Sequence, residues 1–365
     1  MKTYPLKSIT LEQAMAKQFE FVNCITHHFT GTESLSRGDL GVNKKNNQPL
    51  TTGKVEAVIR EFFGVEDAIL VRGAGTNAIR YGLASITKPG DKILIHDAPV
   101  YSTTDTTLKM FGLKTVKADY NHLSEITKVL KADPEIKAVL VQYSRQKLDD
   151  SYEMEEVIKT IRKVRDLPIL TDDNYAVLKV DKVGTQCGSD LSCFSTFKLQ
   201  GPEGIGCVIG KKKYIDIIRK MHYSGGCQVQ GHEALDVLRG LTYAPVLNAI
   251  QAKESEKTVK ALANVKGIKD AFIANSQSKV ILVEFEEPIA QKVLVQAEKL
   301  GALPNPVGSE SKYEIAPLFY RVSGTVLKKN PDYLKTMIRI NPNRAGSETV
   351  IEILEQSIKK AKGDD

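Results

Sequence analysis

The stretch AILVRGAGTNAIRYGL, residues 68–83, predicts a short apolar strand, a glycine-rich turn and a helix in direct succession. The strand ends at Gly73, and the helical pattern covers residues 76–86. Glycines let the backbone approach an anion closely, and the free N–H groups at the start of a helix bind it. The stretch therefore predicts a phosphate group held by residues 73–77, with a tight turn that binds nothing as the alternative.

Strands and helices alternate on both sides of this stretch. A first helix is expected over about residues 10–22, before a polar loop. The remaining helices are predicted at 54–62, 76–86, from about 102, 123–131 and 152–165, and the strands at 68–71, 92–96, 114–119, 138–142 and 168–171. Strands separated by helical patterns of this length favour a doubly wound, mostly parallel sheet in an α/β fold.

The alternation changes after Lys198. Residues 204–210 predict a strand that returns soon after its neighbour and so lies antiparallel to it, and a helix-rich connector follows. The last hundred residues predict a small α+β domain with the order β-α-β-β-α, at 280–284, 288–300, 315–322, 336–340 and 347–362. We therefore expect three parts: an N-terminal helix and loop (1–50), a large domain (51–250) and a small C-terminal domain (251–365).

Composition excludes several classes of protein. The 365 residues are 42% apolar and 26% charged, as in an ordinary globular protein. The net charge of +7 is spread along the chain without an aromatic-interleaved basic patch, which argues against nucleic acid and favours anionic substrates. Five cysteines without a C-x-x-C pair, and six histidines without metal-ligand spacing, predict a cytoplasmic protein with no metal site. No apolar segment suggests a membrane protein or a signal peptide.

The glycine turn by itself favours a dinucleotide cofactor. Gly73, Gly75 and Ala78 fit the dinucleotide-binding fingerprint G-x-G-x-x-A, and Asp97 follows Ala78 by 19 residues, about where such a domain places its ribose-binding acid. This pattern predicts an NAD-dependent oxidoreductase. The fingerprint normally lies in the first βαβ unit of a domain, however, whereas some seventy residues precede it here. The rest of the chain must decide whether the phosphate held by this turn belongs to a dinucleotide or to another cofactor.

Lys198 lies in the segment SCFSTFKLQGPEGIG, residues 192–206. Lysine is rarely buried unless it is paired or chemically employed. A lysine that forms a Schiff base must be partly buried so that its amine can lose a proton and attack an aldehyde. Ser195 and Thr196 could donate hydroxyl hydrogen bonds to a phosphate. The segment predicts a pyridoxal phosphate (PLP) lysine, with a surface lysine at a strand end as the alternative.

Asp172 ends the apolar strand in PILTDDNY, residues 168–175. Ligand contacts in α/β sheets come from the carboxyl ends of the strands. A carboxylate there can keep a pyridine nitrogen protonated, so that the ring withdraws electrons from a substrate. Asp173 should point the opposite way and cap the next turn. The glycine turn, Asp172 and Lys198 thus occur in the order that a PLP site requires.

Two segments resemble branches of one enzyme superfamily. SerThrPheLys and GlyProGluGlyIleGly, within residues 195–206, resemble the lysine segment of class V aminotransferases and cysteine desulfurases. SerGlyGlyCysGlnValGlnGly at 224–231 and LeuArgGlyLeu at 238–241 resemble the cystathionine γ-synthase/lyase group. The whole chain is similar to uncharacterised bacterial proteins of the class V aminotransferase type. The resemblance implies the PLP-dependent transferase fold, known as fold type I.

The resemblance also implies a set of cofactor contacts. They are the phosphate contacts Gly75, Thr76, Asn77 and Ser195, the ring-stacking Tyr101, the ring-nitrogen partner Asp172, the aldehyde partner Lys198 and Gln142 near the ring hydroxyl. Tyr101 departs from class V enzymes, which more often use histidine there. Arg339 matches the arginine that grips the substrate α-carboxylate, a role that suits a planar guanidinium. An exposed strand arginine is the alternative.

Together these features predict a PLP-dependent enzyme that acts on a small amino acid, with Lys198 and Asp172 as its catalytic residues. An aminotransferase-type transferase is favoured, and a β- or γ-eliminating lyase is the alternative. A homodimer or homotetramer is expected, with the loop 36–52 reaching into a neighbouring subunit. An NAD-dependent oxidoreductase and a PLP-binding regulator without turnover remain the hypotheses from other classes.

Overall fold

The computed structural model describes residues 2–275, 279–308 and 310–363. The chain forms two compact units. The large unit comprises Glu12–Ser144 and Tyr152–Pro245, and the small unit comprises Met1–Leu11, Arg145–Ser151 and Val246–Asp365. The division at Pro245 falls inside a long helix.

The large unit contains seven strands and the helices that connect them. The strands are β1 Asp67–Arg72, β2 Lys92–His96, β3 Lys114–Ala118, β4 Ile136–Gln142, β5 Ile169–Asp172, β6 Leu191–Ser195 and β7 Ile205–Gly210. The helices are α1 Leu11–His28, α2 Gly31–Ser34, α3 Leu50–Phe63, α4 Ala74–Ile86, α5 Ser102–Met110, α6 Leu123–Ala132, α7 Met154–Val164, α8 Lys212–Met221 and α9 Gly231–Leu262, which continues into the small unit. None of these or the other described helices is long and apolar enough to cross a membrane.

The seven strands form one sheet in the order β1-β7-β6-β5-β4-β2-β3. Strands β2 to β6 pair in parallel, and β7 runs antiparallel to both β6 and β1. The predicted doubly wound, mostly parallel sheet and the antiparallel return strand are therefore confirmed.

The sheet order contradicts the dinucleotide interpretation of Gly73–Ala78. A Rossmann fingerprint joins two adjacent parallel strands. Here β1 lies at the sheet edge against antiparallel β7, and four strands separate it from β2. The sequence match to the fingerprint therefore lacks the strand pair that an NAD site is built on.

Apart from edge strand β3, whose residues are mostly exposed, the sheet is buried on both faces, as parallel sheets usually are. In β1, Ala68 and Leu70 point into one apolar cluster, whereas Ile69 and Val71 point into another. The first cluster includes residues of α1, α3 and α9, and the second includes residues of α4 and α8. The continuous apolar runs of the sequence thus reflect strands that are covered by helices on both sides.

The boundaries of α1 and α3 differ from the prediction. Helix α1 continues to His28 rather than ending near residue 22, because Phe21 and Cys24 lie one turn apart and are both buried in the core. Helix α3 begins directly after Pro49, four residues earlier than predicted. Tertiary packing extends both helices beyond the strongest part of their apolar patterns.

The small unit has a four-stranded antiparallel sheet in the order β10-β11-β9-β8. Its elements are β8 Ile268–Ile273, β9 Ile281–Phe285, α10 Ala290–Lys299, β10 Leu318–Arg321, α11 Gly324–Lys329, α12 Tyr333–Thr336, β11 Met337–Asn341 and α13 Ser347–Lys362. The predicted α+β character is confirmed. Edge strand β8 was not predicted because Lys269 and Asp270 interrupt its apolar pattern. The short helices α11 and α12 were not predicted either.

Asp190 connects three elements at the amino-terminal edge of the large sheet. Its carboxylate, which is 3% exposed, contacts the Arg162 guanidinium at 2.6 Å and the Lys211 amine at 2.5 Å, and it accepts the Ile169 N–H at 2.7 Å. Burial alone would raise the pKa of Asp190, but Lys211, Arg162 and the Ile169 N–H together lower it. The ionised carboxylate is thus fully compensated in the folded protein.

We predict that Asp190→Asn lowers the free energy of unfolding by ~3 kcal/mol, because it leaves two cations without their buried partner. Asp166→Asn is the matched control, since Asp166 contacts the same Arg162 at 2.9 Å but is 94% exposed, and an exposed pair contributes less than ~1 kcal/mol. Urea unfolding at neutral pH measures both variants. Because the pKa of Asp190 is lowered on folding, its contribution is present above about pH 4 and disappears on acidification. Equal unfolding midpoints for the two variants would contradict the assignment.

Candidate active site

The glycine turn at the start of α4 is fixed to the segment that follows Lys198. Gly73 has a left-handed φ of 94°, and the N–H groups of Gly73 and Ala74 both donate to the Gly204 carbonyl, at 2.7 and 2.9 Å. The amides of Gly75 and Thr76 come next in the first helical turn, where no preceding carbonyl of the helix can accept them. These two amides, at the positive end of α4, form an anion-binding position.

Asn174 joins three of the residues predicted for the site. Its side-chain nitrogen donates to Asp172 Oδ1 at 2.7 Å, and its side-chain oxygen accepts the Ser195 N–H at 3.0 Å. A Cβ atom on Gly75 would lie 2.6 Å from the same oxygen, so this position has space for glycine alone. The Asn174 amide thus brings the glycine turn, Asp172 and Ser195 to one place.

Asp172 and Gln142 lie side by side at the carboxyl ends of β5 and β4. Asp172 is 6% exposed. Burial raises the pKa of its carboxyl, opposed by the hydrogen bonds from Asn174 and by the positive charge of Lys198. The Gln142 carbonyl accepts the hydroxyl of Tyr152 at 2.6 Å, which holds the end of β4 in place.

Lys198 lies in a short 3₁₀ turn, Phe197–Leu199, beyond the end of β6. Its side chain is partly buried, and its amine lies 4.1 Å from the centroid of the Tyr175 ring. Thr196, the other predicted hydroxyl donor, instead donates to the Ile205 carbonyl at 2.9 Å. Thr196 therefore fixes the turn that presents Lys198, whereas Ser195 stays at the site through Asn174.

Thr76 connects the glycine turn with the segment that carries Tyr101. The Thr76 and Thr103 hydroxyls are 3.3 Å apart, and Tyr101 immediately precedes α5. Its side chain is 56% exposed. Asn77 points back over the turn, where a Cβ on Gly73 would meet its side chain at 2.1 Å, and it accepts a hydrogen bond from Arg80 at 2.8 Å.

Asp173 points away from Asp172, as predicted, and is fully buried. It accepts the Gly184 N–H at 2.7 Å, and its carbonyl accepts the N–H of Ala176 at 2.9 Å. Burial raises the pKa of Asp173 to about 6. The carboxyl therefore holds the loop at residue 184 and does not cap the next turn, so the predicted capping role of Asp173 is wrong.

Arg339 belongs to the small unit, in strand β11. It is paired with Tyr320 of β10, and its guanidinium stacks 3.9 Å from the centroid of that ring. Its Nε donates to the Arg321 carbonyl at 2.8 Å. The arginine is thus held by its neighbours in the sheet rather than lying free on the surface, and its carboxylate-binding role stays a prediction.

Two residues that contact the predicted site, Asn174 and Tyr175, were not predicted from the sequence. One signal was available for Asn174, because asparagine often bonds to the residue two positions before it in a turn. The N–H of Asn174 also donates to Asp172 Oδ1, at 3.1 Å. No sequence pattern predicts the contact between the Tyr175 ring and Lys198, because this contact joins two separate loops.

Two family descriptions match the chain. Residues 36–239 match aminotransferase class V, and residues 256–354 match the YhfS-like C-terminal domain. The chain belongs to the aminotransferase class-V family. This is a PLP-dependent family, and the cofactor and fold type predicted from the sequence are confirmed.

One relative matches nearly the whole of this class-V chain, and a more distant structure shares its fold. It is 51% identical to the uncharacterised protein YhfS of Escherichia coli, over 98% of this chain and 99% of that protein. The crystal structure of E. coli YhfS, described as pyridoxal-5'-phosphate dependent, superposes with a TM-score of 0.96 over 99% of this chain and 100% of that one, at 52% identity. A cystathionine γ-lyase from Micromonospora echinospora shares the fold, with a TM-score of 0.70 and 16% identity over 86% of this chain and 87% of that one.

The residues of the large unit fit PLP. The helix start at Gly75 and Thr76 offers amides to a phosphate, and the Cβ-free position at residue 75 allows close approach. A buried carboxyl, Asp172, suits a protonated ring nitrogen. Lys198 supplies a partly buried amine. The donor set therefore matches the functional groups of the cofactor.

We predict that Gly75→Ala weakens PLP binding at least tenfold, because the added methyl group would displace the Asn174 side chain from Asp172 and Ser195. Titration of the apoenzyme with PLP, followed by absorbance, measures the change. Gly31→Ala is the control, since a Cβ at this first position of α2 meets nothing within 4 Å. An unchanged PLP affinity in Gly75→Ala would show that Asn174 does not organise the site.

We also predict a pH-dependent gain in stability for Asp173→Asn in the apoenzyme. Because folding raises the pKa of Asp173 from 3.8 to about 6, the wild-type protein loses stability as the pH rises through this interval. The advantage of the variant should therefore grow by up to ~3 kcal/mol between pH 4 and pH 7. Urea unfolding at both pH values measures it, and a constant difference would contradict the assignment.

Proposed function

We propose that this PLP-dependent enzyme transfers the amino group of a small amino acid, with Lys198 as its cofactor-binding and proton-transferring lysine. The observation that supports the proposal most is the position of the Lys198 amine, 4.1 Å from the centroid of Tyr175 and within the electrostatic influence of buried Asp172. A partly buried lysine beside a buried carboxylate suits an amine that must both hold an aldehyde and accept a proton.

Bound PLP supplies an electron sink next to the substrate's α-carbon. Around it, the N–H groups of Gly75 and Thr76 would bind the phosphate, and Asp172 would hold a proton at the ring nitrogen. The Lys198 amine would take the α-proton and hold it for return. Arg339 would bind the α-carboxylate with its guanidinium, which orients the substrate.

A lyase that eliminates a β or γ substituent is the second candidate. Tyr101 favours it, because a tyrosine rather than a histidine precedes α5 and is linked to the glycine turn through Thr103 and Thr76. A tyrosine hydroxyl can carry a proton to a leaving group as well as stack on a ring. The two functions differ in their products, since an elimination releases ammonia and transamination does not.

A homodimer or homotetramer in the cytoplasm is part of the proposal. Helix α1 exposes Met15, Phe19 and Val22 along one face, and the following loop exposes Leu35 (85%) and Leu40 (75%). Large apolar side chains grouped in this way are typical of surfaces that pack against another protein. We expect size-exclusion chromatography to give at least twice the mass of 40.3 kDa for one chain.

We predict that borohydride treatment of the purified holoenzyme attaches PLP to Lys198, as a mass increase of the peptide that contains it. Lys198→Ala should lose this attachment and at least ~1000-fold of the turnover, since both covalent and proton-transfer roles disappear. Lys182→Ala is the control, because Lys182 lies on the surface beside Glu155. Attachment at another lysine would contradict the assignment.

The reaction type follows from a screen of the holoenzyme against the amino acids. Each reaction also contains a second keto acid as the amino acceptor. A keto acid formed from the amino acid without ammonia, together with a new amino acid formed from the acceptor, indicates transamination. A keto acid formed with ammonia indicates elimination. A protein whose spectrum changes with amino acids but which forms no product would be a PLP-binding regulator instead.

A further inference from the structure

Helix α4, which begins at the glycine turn, contains a single charged residue, Arg80. Its Nη1 donates to Asn77 Oδ1 at 2.8 Å, one turn closer to the start of the helix. No carboxylate among the described residues forms an ion pair with its guanidinium, and its buried Nε has no hydrogen-bond partner there. The proposed function gives this cation no role.

The contact with Arg80 fixes which way the Asn77 amide points. A guanidinium has only donors, so the amide atom that faces it must be the oxygen. The amide nitrogen then lies on the other side, over the glycine turn, where a Cβ atom on Gly73 would be 2.1 Å away from it. Gly73 is exposed and Asn77 is half-buried, so a ligand can reach both from solvent. Arg80 therefore keeps a hydrogen-bond donor of Asn77 at the open turn.

The position of Arg80 is electrostatically unfavourable in the protein alone. Side chains of a helix point towards its N-terminus, so Arg80 reaches back towards the positive end of α4. The helix dipole repels a cation near this end, whereas an anion there is attracted by both the dipole and the cation. Arginine, methionine and leucine have similar helix propensities, so helix formation does not require an arginine here. The charge becomes favourable when an anion occupies the turn.

We propose that Arg80 is a positioning residue for the cofactor phosphate, and that it acts by orienting the side-chain N–H groups of Asn77 towards that phosphate. The inference rests on the proposed function, because it needs the phosphate at the amides of Gly75 and Thr76. The turn then offers the anion main-chain donors and a side-chain donor whose orientation is fixed. Pyridoxal, which lacks the phosphate, gains nothing from Arg80.

Titration of the full-length apoenzyme with PLP and with pyridoxal, followed by absorbance, tests this role. In Arg80→Met, PLP should bind about tenfold more weakly, because a hydrogen bond to a charged group loses its fixed donor. The affinity for pyridoxal should be unchanged. Arg80→Lys also presents only donors to Asn77 Oδ1 and should restore most of the affinity for PLP. Arg60→Met is the control for net charge, because Arg60 is an exposed residue of α3, and it should leave both affinities unchanged.

A double-variant cycle decides whether Arg80 acts through Asn77. Asn77→Ala should weaken PLP binding by about the same factor as Arg80→Met, and the two substitutions together should cost less than about twofold more than either alone. Circular dichroism and the thermal midpoint of each apoenzyme check the fold. The midpoint of Arg80→Met should not fall, because the substitution removes a cation from the positive end of α4. Arg80→Gln replaces this variant if its apoenzyme does not fold.

The proposal is overturned if Arg80→Met binds PLP as tightly as the wild type, if PLP and pyridoxal lose affinity equally, or if the two substitutions act independently. Gly75→Ala separates this failure from a failure of the proposed function. If Gly75→Ala weakens PLP binding but Arg80→Met does not, the phosphate lies at the turn and only the role of Arg80 is rejected. If neither variant changes the affinity for PLP, the proposed position of the phosphate is rejected as well.

Discussion

The side-chain amide of Asn174 is the contact on which the cofactor site depends. It donates to Asp172, accepts from the Ser195 backbone and occupies the space that a side chain at position 75 would need. One planar group therefore sets the distances between a helix start and two strand ends. Because its oxygen and nitrogen have different partners, the arrangement has one orientation, and a change at any of the four residues disturbs the others.

The buried carboxyl groups of the large unit lie in two kinds of environment. Asp190, remote from the glycine turn at the other end of β6, is surrounded by two cations and stays ionised, which stabilises the fold. Asp172 and Asp173 are buried with raised pKa values and are held mainly by neutral donors. The first arrangement needs no ligand. The second leaves Asp172 ready for a cationic partner such as a protonated pyridine nitrogen, at some cost to the stability of the apoenzyme.

The alternation of apolar strands and amphipathic helices predicted the fold well. Strands β1, β2, β4, β5 and β7 were predicted because strands covered on both faces have continuous apolar runs. Strand β3 was also predicted, although its residues are mostly exposed, and β6 was recognised only as the strand end before Lys198. Edge strand β8 was not predicted because Lys269 and Asp270 interrupt its apolar pattern, and helix α1 was predicted too short because its last turns depend on burial of Cys24. Among the residues brought together around the glycine turn, Lys198, Asp172 and the turn itself were recognisable from their local patterns, whereas Asn174 and Tyr175 were not.

By itself, the sequence determined the fold class, the family and the cofactor, since these follow from local periodicity and from short motifs that keep their order along the chain. Tertiary structure alone decided which strands are neighbours, and this removed the dinucleotide interpretation of Gly73–Ala78 by placing β1 against antiparallel β7. It also decided that the Tyr175 ring lies beside Lys198. The physical reason is that contacts between loops depend on how the sheet orders its strands, and periodicity along the chain does not encode that order.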